Sequence, residues 1–178
     1  VGIVLYRVDR SAQLRENTRE RAGWAKWNTV AGIARDLGLG LLTFTSLLVI
    51  GVTLQKVLAP YQHDLGAMRA MMPQNQGEAL WFLAVTVSAG IVEEFVFRGY
   101  LQRHLTGITG NAAVATVLQV LLFVQAHIYQ GLVRLISVAA LGSLLTGVAL
   151  WRKSLKPGII GHALGDSLGG ILYFLARV

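Results

Sequence analysis

Apolar residues in this chain come in long runs separated by short polar, basic or Gly- and Pro-containing connections. The first clear run, Leu37 to Leu58, carries no charge until Lys56 and is closed by Pro60. Ala59 to Glu78 reads as a loop with Pro60 and Pro73. A second run extends from Ala79 to about Leu101 and is interrupted only by Glu93, Glu94 and Arg98. Gly107 and Gly110 punctuate the next connection. The stretch from about Ala112 to Trp151 is too long for one helix and is broken between His127 and Arg134, so it predicts two helices joined by a short turn. Arg152, Lys153 and Lys156 form a basic connection ending at Pro157, and a last run covers Gly158 to Ala176.

A helix needs about 20 mainly apolar residues to cross the hydrocarbon core, and these runs meet that length. The pattern predicts an all-α fold, a polytopic transmembrane helix bundle of about five spans. Val1 to Tyr6 are apolar and stop at Arg7, as the end of a span that begins upstream. Residues 7–36 are polar and basic, with Trp24 and Trp27, which suits either a helix at headgroup level or a solvated loop. Two units follow: an upstream remnant with its basic segment at 1–36, and a bundle at 37–178 with its core at 79–172.

Composition supports lipid as the solvent: 54% of residues are hydrophobic and 14% charged, with a mean hydropathy of +0.55. The net charge of +7 is not gathered into a basic motif with interleaved aromatics, so no nucleic-acid partner is expected. Membrane topology accounts for the charge. Assigned to alternate sides of five spans, the Lys and Arg residues divide 12 to 4, which places residues 7–36 in the cytoplasm. Without cysteine there is no disulfide, thiolate zinc site or cysteine nucleophile. No signal-peptide pattern or organelle signal is visible, which favours a bacterial inner membrane.

The charges inside the runs carry the chemistry. Asp, Lys or Arg at a helix centre costs roughly 2.5 to 3.5 kcal/mol on insertion scales, and such groups persist where they pair or line a cavity. Glu94 and Arg98, four apart, share a helix face as an ion pair. Glu93 lies about 100° around the helix with no partner in its own segment, the state a general base needs. His127 ends the next run, one turn after Phe123, and His162 and Asp166 stand one turn apart on the last. Gly161, Gly165 and Gly169, at intervals of four, predict a ridge for close helix contact beside that pair.

In this order, Glu93-Glu94-Phe95-Val96-Phe97-Arg98, Phe123-Val124-Gln125-Ala126-His127 and His162-Ala163-Leu164-Gly165-Asp166 resemble the three motifs of the CAAX protease and bacteriocin-processing family, which includes the type II CAAX prenyl endopeptidases. The resemblance covers roughly Ala79 to Leu172. It implies an intramembrane endopeptidase in which Glu93 and His127 hold and activate a water, Glu94 with Arg98 fixes the geometry, and His162 with residue 166 stabilises the oxyanion. It implies no cofactor, no metal and no covalent acyl-enzyme. The substrate would be a peptide or membrane protein at the bilayer, prenylated or not. Position 166 often carries Asn in the family. An ionised Asp166 cannot donate to an oxyanion, so this residue is either protonated or serves to orient His162.

Other readings compete. Gly165-Asp166-Ser167-Leu168-Gly169 matches a nucleophile-elbow pattern, but the elbow needs a strand-turn-helix and Ser167 lies in a helical run. His127, His162, Glu93 and Asp166 are all possible zinc ligands, although the helical H-E-x-x-H arrangement is missing. A non-catalytic immunity or assembly factor that binds a membrane-protein partner is the alternative function. A proton-coupled transporter finds little support in five spans without paired repeats. One geometric demand stands out: if every span were straight and complete, His127 and His162 would lie near opposite ends of their helices, and a shortened helix or a backbone break at Gly107, Gly110 or Gly131 must bring them together.

Overall fold

The computed structural model describes residues 29–62 and 70–176, and within them the fold is helical throughout. The expected upstream span end at 1–6, and the basic segment as far as residue 28, lie outside the described residues. Helix α1 is Val30–Leu58, followed by a 3-10 turn at Ala59–Tyr61 that contains Pro60. Helix α2, Gln76–Glu93, passes into a π-helical segment, Glu94–Leu101, and then into α3, Gln102–Thr109. Helix α4 is Ala112–Ala126, a 3-10 turn spans Ile128–Gln130, α5 is Leu132–Arg152 and α6 is Lys156–Leu175.

Local chemistry sets the helix ends. Asn75 Oδ1 accepts from Glu78 N at 2.9 Å while the Glu78 carboxylate reaches back to Gln74 N and Asn75 Nδ2, both at 2.7 Å, a reciprocal cap on α2. Asn111 Oδ1 caps α4 through Ala113 N and Val114 N. Gly110, with φ of 66°, ends α3 in a left-handed conformation that costs glycine little. Three boundaries differ from the sequence expectation. The first span starts at Val30 rather than Leu37, because Thr29 caps it and Asp36, buried in the bundle near Lys156 Nζ, is no obstacle to a helix. Gly107 lies within α3 and breaks nothing. Lys156 and Pro157 belong to the first turn of α6, where proline's missing N–H is not needed.

Among the described residues, four helical runs are long and apolar enough to cross a membrane: Val30–Tyr61, Gln76–Thr109, Leu132–Arg152 and Lys156–Leu175. The fifth expected span, α4, has 15 residues and rises about 22 Å, short of a hydrocarbon core of about 30 Å. Polarity is arranged for lipid rather than water. Leu42, Val85 and Leu121 are each about 60% exposed, whereas Glu94, Gln119 and Thr146 are completely buried.

Helix α6 packs against α1, α2 and α5. A Cβ on Gly161 would stand 2.8 Å from Thr43 Cγ2 and 2.9 Å from Phe44 N, so α1 and α6 meet here almost backbone to backbone. The expected ridge does not continue, since Gly165 and Gly169 face open space. Beyond Gly161, α6 turns to α2 the face of Ala163 and Ser167, roughly opposite those two glycines, with Ser167 Oγ 2.8 Å from Thr86 Oγ1.

Candidate active site

Three separate segments bring the motif residues to one place. Glu93 ends α2, Glu94 and Arg98 belong to the π-helical segment, His127 caps the C-terminus of α4, and His162 and Asp166 stand on α6. Glu93 Oε2 is the meeting point: His127 Nε2 lies 3.9 Å away and His162 Nε2 3.8 Å away. That oxygen is buried without a hydrogen bond from the protein. The side chains of Glu93, His127 and His162 retain 27%, 15% and 11% exposure, while Asp166 retains 50%, so the cluster opens on the Asp166 side.

The depth of His127 follows from the shortness of α4. The helix ends at Ala126, a 3-10 turn follows, and the chain starts again at Gly131, whose φ of 88° suits glycine. His127 therefore ends a segment shorter than the bilayer core and reaches Glu93 there. Its Nδ1 lies 2.7 Å from Phe123 O, and because a carbonyl only accepts, Nδ1 carries the proton. In the neutral ring this leaves the Nε2 lone pair turned toward Glu93.

Glu94 and Arg98 form a buried ion pair, with Arg98 Nη1 donating to Glu94 Oε1 at 3.0 Å. The same oxygen accepts from His162 Nδ1 at 3.1 Å. Arg98, counted on sequence among the charges flanking the membrane, is thus inside the bundle. Its other donors are used as well: Nη2 bonds Gly142 O at 3.1 Å and Nε bonds Thr146 Oγ1 at 3.3 Å, and its guanidinium carbon lies 4.2 Å from the Phe123 ring centre. Thr146 Oγ1 in turn lies 2.8 Å from both Gln119 Oε1 and Gly142 O. Gly158 packs on the far carboxylate oxygen, since a Cβ there would come within 3.0 Å of Glu94 Oε2.

His162 Nε2 also faces Asp166 Oδ2 at 3.4 Å. Neither this contact nor the one to Glu93 is of hydrogen-bond length. Asp166 stands at the edge of the cluster, because α6 turns its close-packed faces to α1 and α2. Sequence reasoning missed Gln119, Thr146, Gly142 and Gly158. Gln119 and Thr146 are uncharged polar residues inside apolar runs, a weaker form of the signal that singled out the charges. Among the described residues, no three His, Asp or Glu side chains form a group that could hold a metal ion.

Residues 75–168, just over half of the 178-residue chain, match the family model described as type II CAAX prenyl endopeptidase Rce1-like. The chain belongs to this family. The match takes in Glu93, Glu94, Arg98, His127, His162 and Asp166. As an Rce1-like protein it is an integral membrane protease of the CAAX type, and its apolar helices are the spans of a bundle acting on peptide substrates in the bilayer. The chain matches no curated protein and no solved structure.

Proposed function

We propose that this Rce1-like protein hydrolyses a peptide bond with a water held between Glu93 and His127. The observation that carries this reading is the convergence of two imidazole Nε2 atoms on the buried, otherwise unbonded Glu93 Oε2. A water there finds a carboxylate to take its proton and the His127 lone pair to orient it. Attack on the scissile carbonyl gives a tetrahedral oxyanion. Glu93 takes the water's proton and then delivers it to the leaving amine, which restores the carboxylate.

His162 stabilises the oxyanion. Its Nδ1 donates to Glu94, so the ring acts as the imidazolium, and the long contacts at Nε2 leave that second N–H available to a substrate oxygen. Asp166 positions the ring from 3.4 Å rather than donating to the oxyanion. Arg98 holds Glu94, and Glu94 holds His162, so the ion pair sets geometry without touching the reacting atoms. The catalytic core lies within 79–172. In the proposed orientation, the 1–36 segment faces the cytoplasm at a bacterial inner membrane.

The test compares membranes carrying the wild type with membranes carrying Glu93→Ala for accumulated uncleaved proteins, then repeats cleavage with a strong divalent-metal chelator. Uncleaved substrates in the variant, with chelator-insensitive wild-type cleavage, are expected. Identical protein patterns would favour a non-catalytic binding role, and metal present in stoichiometric amount would favour a metalloprotease.

A further inference from the structure

Arg134 lies outside the three motifs, and its position in α5 is unusual for an arginine at the end of a membrane helix. At about 100° per residue, Arg134 shares a helix side with Val138, Leu141, Leu145 and Ala149, of which Leu145 and Ala149 are 2% and 8% exposed. The opposite side carries Leu132, Ile136 and Leu150, at 78%, 52% and 44% exposure, and is the lipid-facing stripe. Arg134 therefore points into the bundle rather than out to lipid. Among the described residues it has no ion-pair or hydrogen-bond partner for its side chain, and its Nε is buried with no acceptor. A buried donor without an acceptor is costly.

The level of Arg134 relative to the cluster can be read from helix contacts. Helices α4 and α5 run antiparallel across a short turn, and a Cβ on Gly142 would stand 2.9 Å from Phe123, so these two positions are level. His127 is four residues beyond Phe123, about 6 Å along the axis, and Arg134 is eight residues before Gly142, about 12 Å. Arg134 thus stands about 6 Å past His127, one helical turn from the site. The bundle is open at this level. On α5, Gly142, Leu145, Thr146 and Ala149 are buried, whereas every residue from 133 to 141 is partly or fully exposed.

We propose that Arg134 is a substrate-carboxylate subsite, a specificity residue that takes an anionic group of the peptide two to three residues from the scissile bond. An extended peptide advances about 3.3 Å per residue, so this offset covers the step from the cluster to the guanidinium. A guanidinium fork matches a carboxylate in a bidentate geometry, which selects a carboxylate over other polar ends. The free C-terminus of a short leaving peptide and an acidic side chain at the same offset present this same chemistry. The inference rests on the proposed protease reading for its substrate, and on the placement of Arg134 for its site.

The probe is a fluorogenic prenyl-Cys-Val-Ile-Ser peptide in three forms: free acid, C-terminal amide, and an amide with Asp as the last residue. Cleavage by the full chain is measured in phosphatidylcholine vesicles with and without anionic lipid. The wild type is expected to prefer the free acid over the amide by about tenfold or more in kcat/KM, the range of a charged hydrogen bond. Arg134→Gln removes this preference through KM and leaves amide cleavage unchanged, and Arg134→Lys keeps part of it. A preference for the Asp-bearing amide assigns the site to any carboxylate, and its absence assigns it to the C-terminus. Equal loss on acid and amide, no loss on either, or a loss governed by anionic lipid would overturn the proposal. Binding of the three peptides to Glu93→Gln, with and without Arg134→Gln, reads the same preference without cleavage. Failure of the glutamate mechanism would leave that acid-to-amide ratio intact.

Discussion

Removing one hydroxyl, in Thr146→Val, tests whether the buried network behind the site sets its geometry. Thr146 accepts from Arg98 Nε at 3.3 Å and lies 2.8 Å from Gln119 Oε1, with Thr146 and Gln119 completely buried and Arg98 4% exposed. Valine has nearly the same shape, so packing is retained while two buried groups lose a partner. Each such loss costs about 1–3 kcal/mol, and the larger end applies to the guanidinium. Arg98 still holds Gly142 O and Glu94, which limits the damage, and stability is lowered by about 4–6 kcal/mol. The functional effect runs through the Arg98, Glu94 and His162 chain, where a shift of about 1 Å at the chemistry costs on the order of 10²-fold. The assay is cleavage of a membrane peptide by purified protein in vesicles, alongside thermal unfolding. The expectation is a 10- to 100-fold lower kcat with KM little changed, and partial recovery of stability in Thr146→Val/Gln119→Leu, where the glutamine no longer lacks a donor. Wild-type kcat in a destabilised variant, or further destabilisation in the double variant, would refute the reasoning.

The remaining expectations concern other parts of the bundle. Ser167→Ala retains activity within about threefold, since loss of one helix-helix hydrogen bond costs about 1 kcal/mol or less, and loss of all cleavage would restore a serine mechanism. Asp166→Asn retains activity within about tenfold because an amide oxygen can still face His162 Nε2, while Asp166→Ala loses more; equal losses would show that the contact has no positioning role. The chain has no native cysteine, so single cysteines at Ser154 and Gln130 give a clean topology assay. A membrane-impermeant thiol reagent applied outside intact cells is expected to label position 130 and not 154, and the reverse pattern would invert the proposed orientation.

Much of the bundle was legible because lipid simplifies the code. Apolar runs must become helices, and Glu93, Glu94, Arg98, His127 and His162 had to find one another or face lipid at high cost. Their convergence is therefore readable from one sequence. Asp166 was read less well, because spacing places it one turn from His162 without saying which side of α6 the neighbours cover. The glycine ridge failed for the same reason: intervals of four mark a possible contact, and only tertiary packing chooses between faces. The break at His127 already marks where α4 ends, but the 15 residues before it fall short of the full span expected of that run. The π-helical segment at Glu94–Leu101 escaped a reading based on 3.6 residues per turn. There the backbone widens, with Gln102 N bonded to Phe97 O, as such segments often do at functional sites.

The central claim, that Glu93 and His127 activate the attacking water, is tested most directly by single-turnover cleavage with purified wild-type, Glu93→Gln and His127→Ala proteins at saturating peptide. The expected result is a loss of about 10²- to 10⁴-fold in the chemical step for each variant, with peptide affinity unchanged. A Glu93→Gln protein that cleaves at the wild-type rate would contradict it.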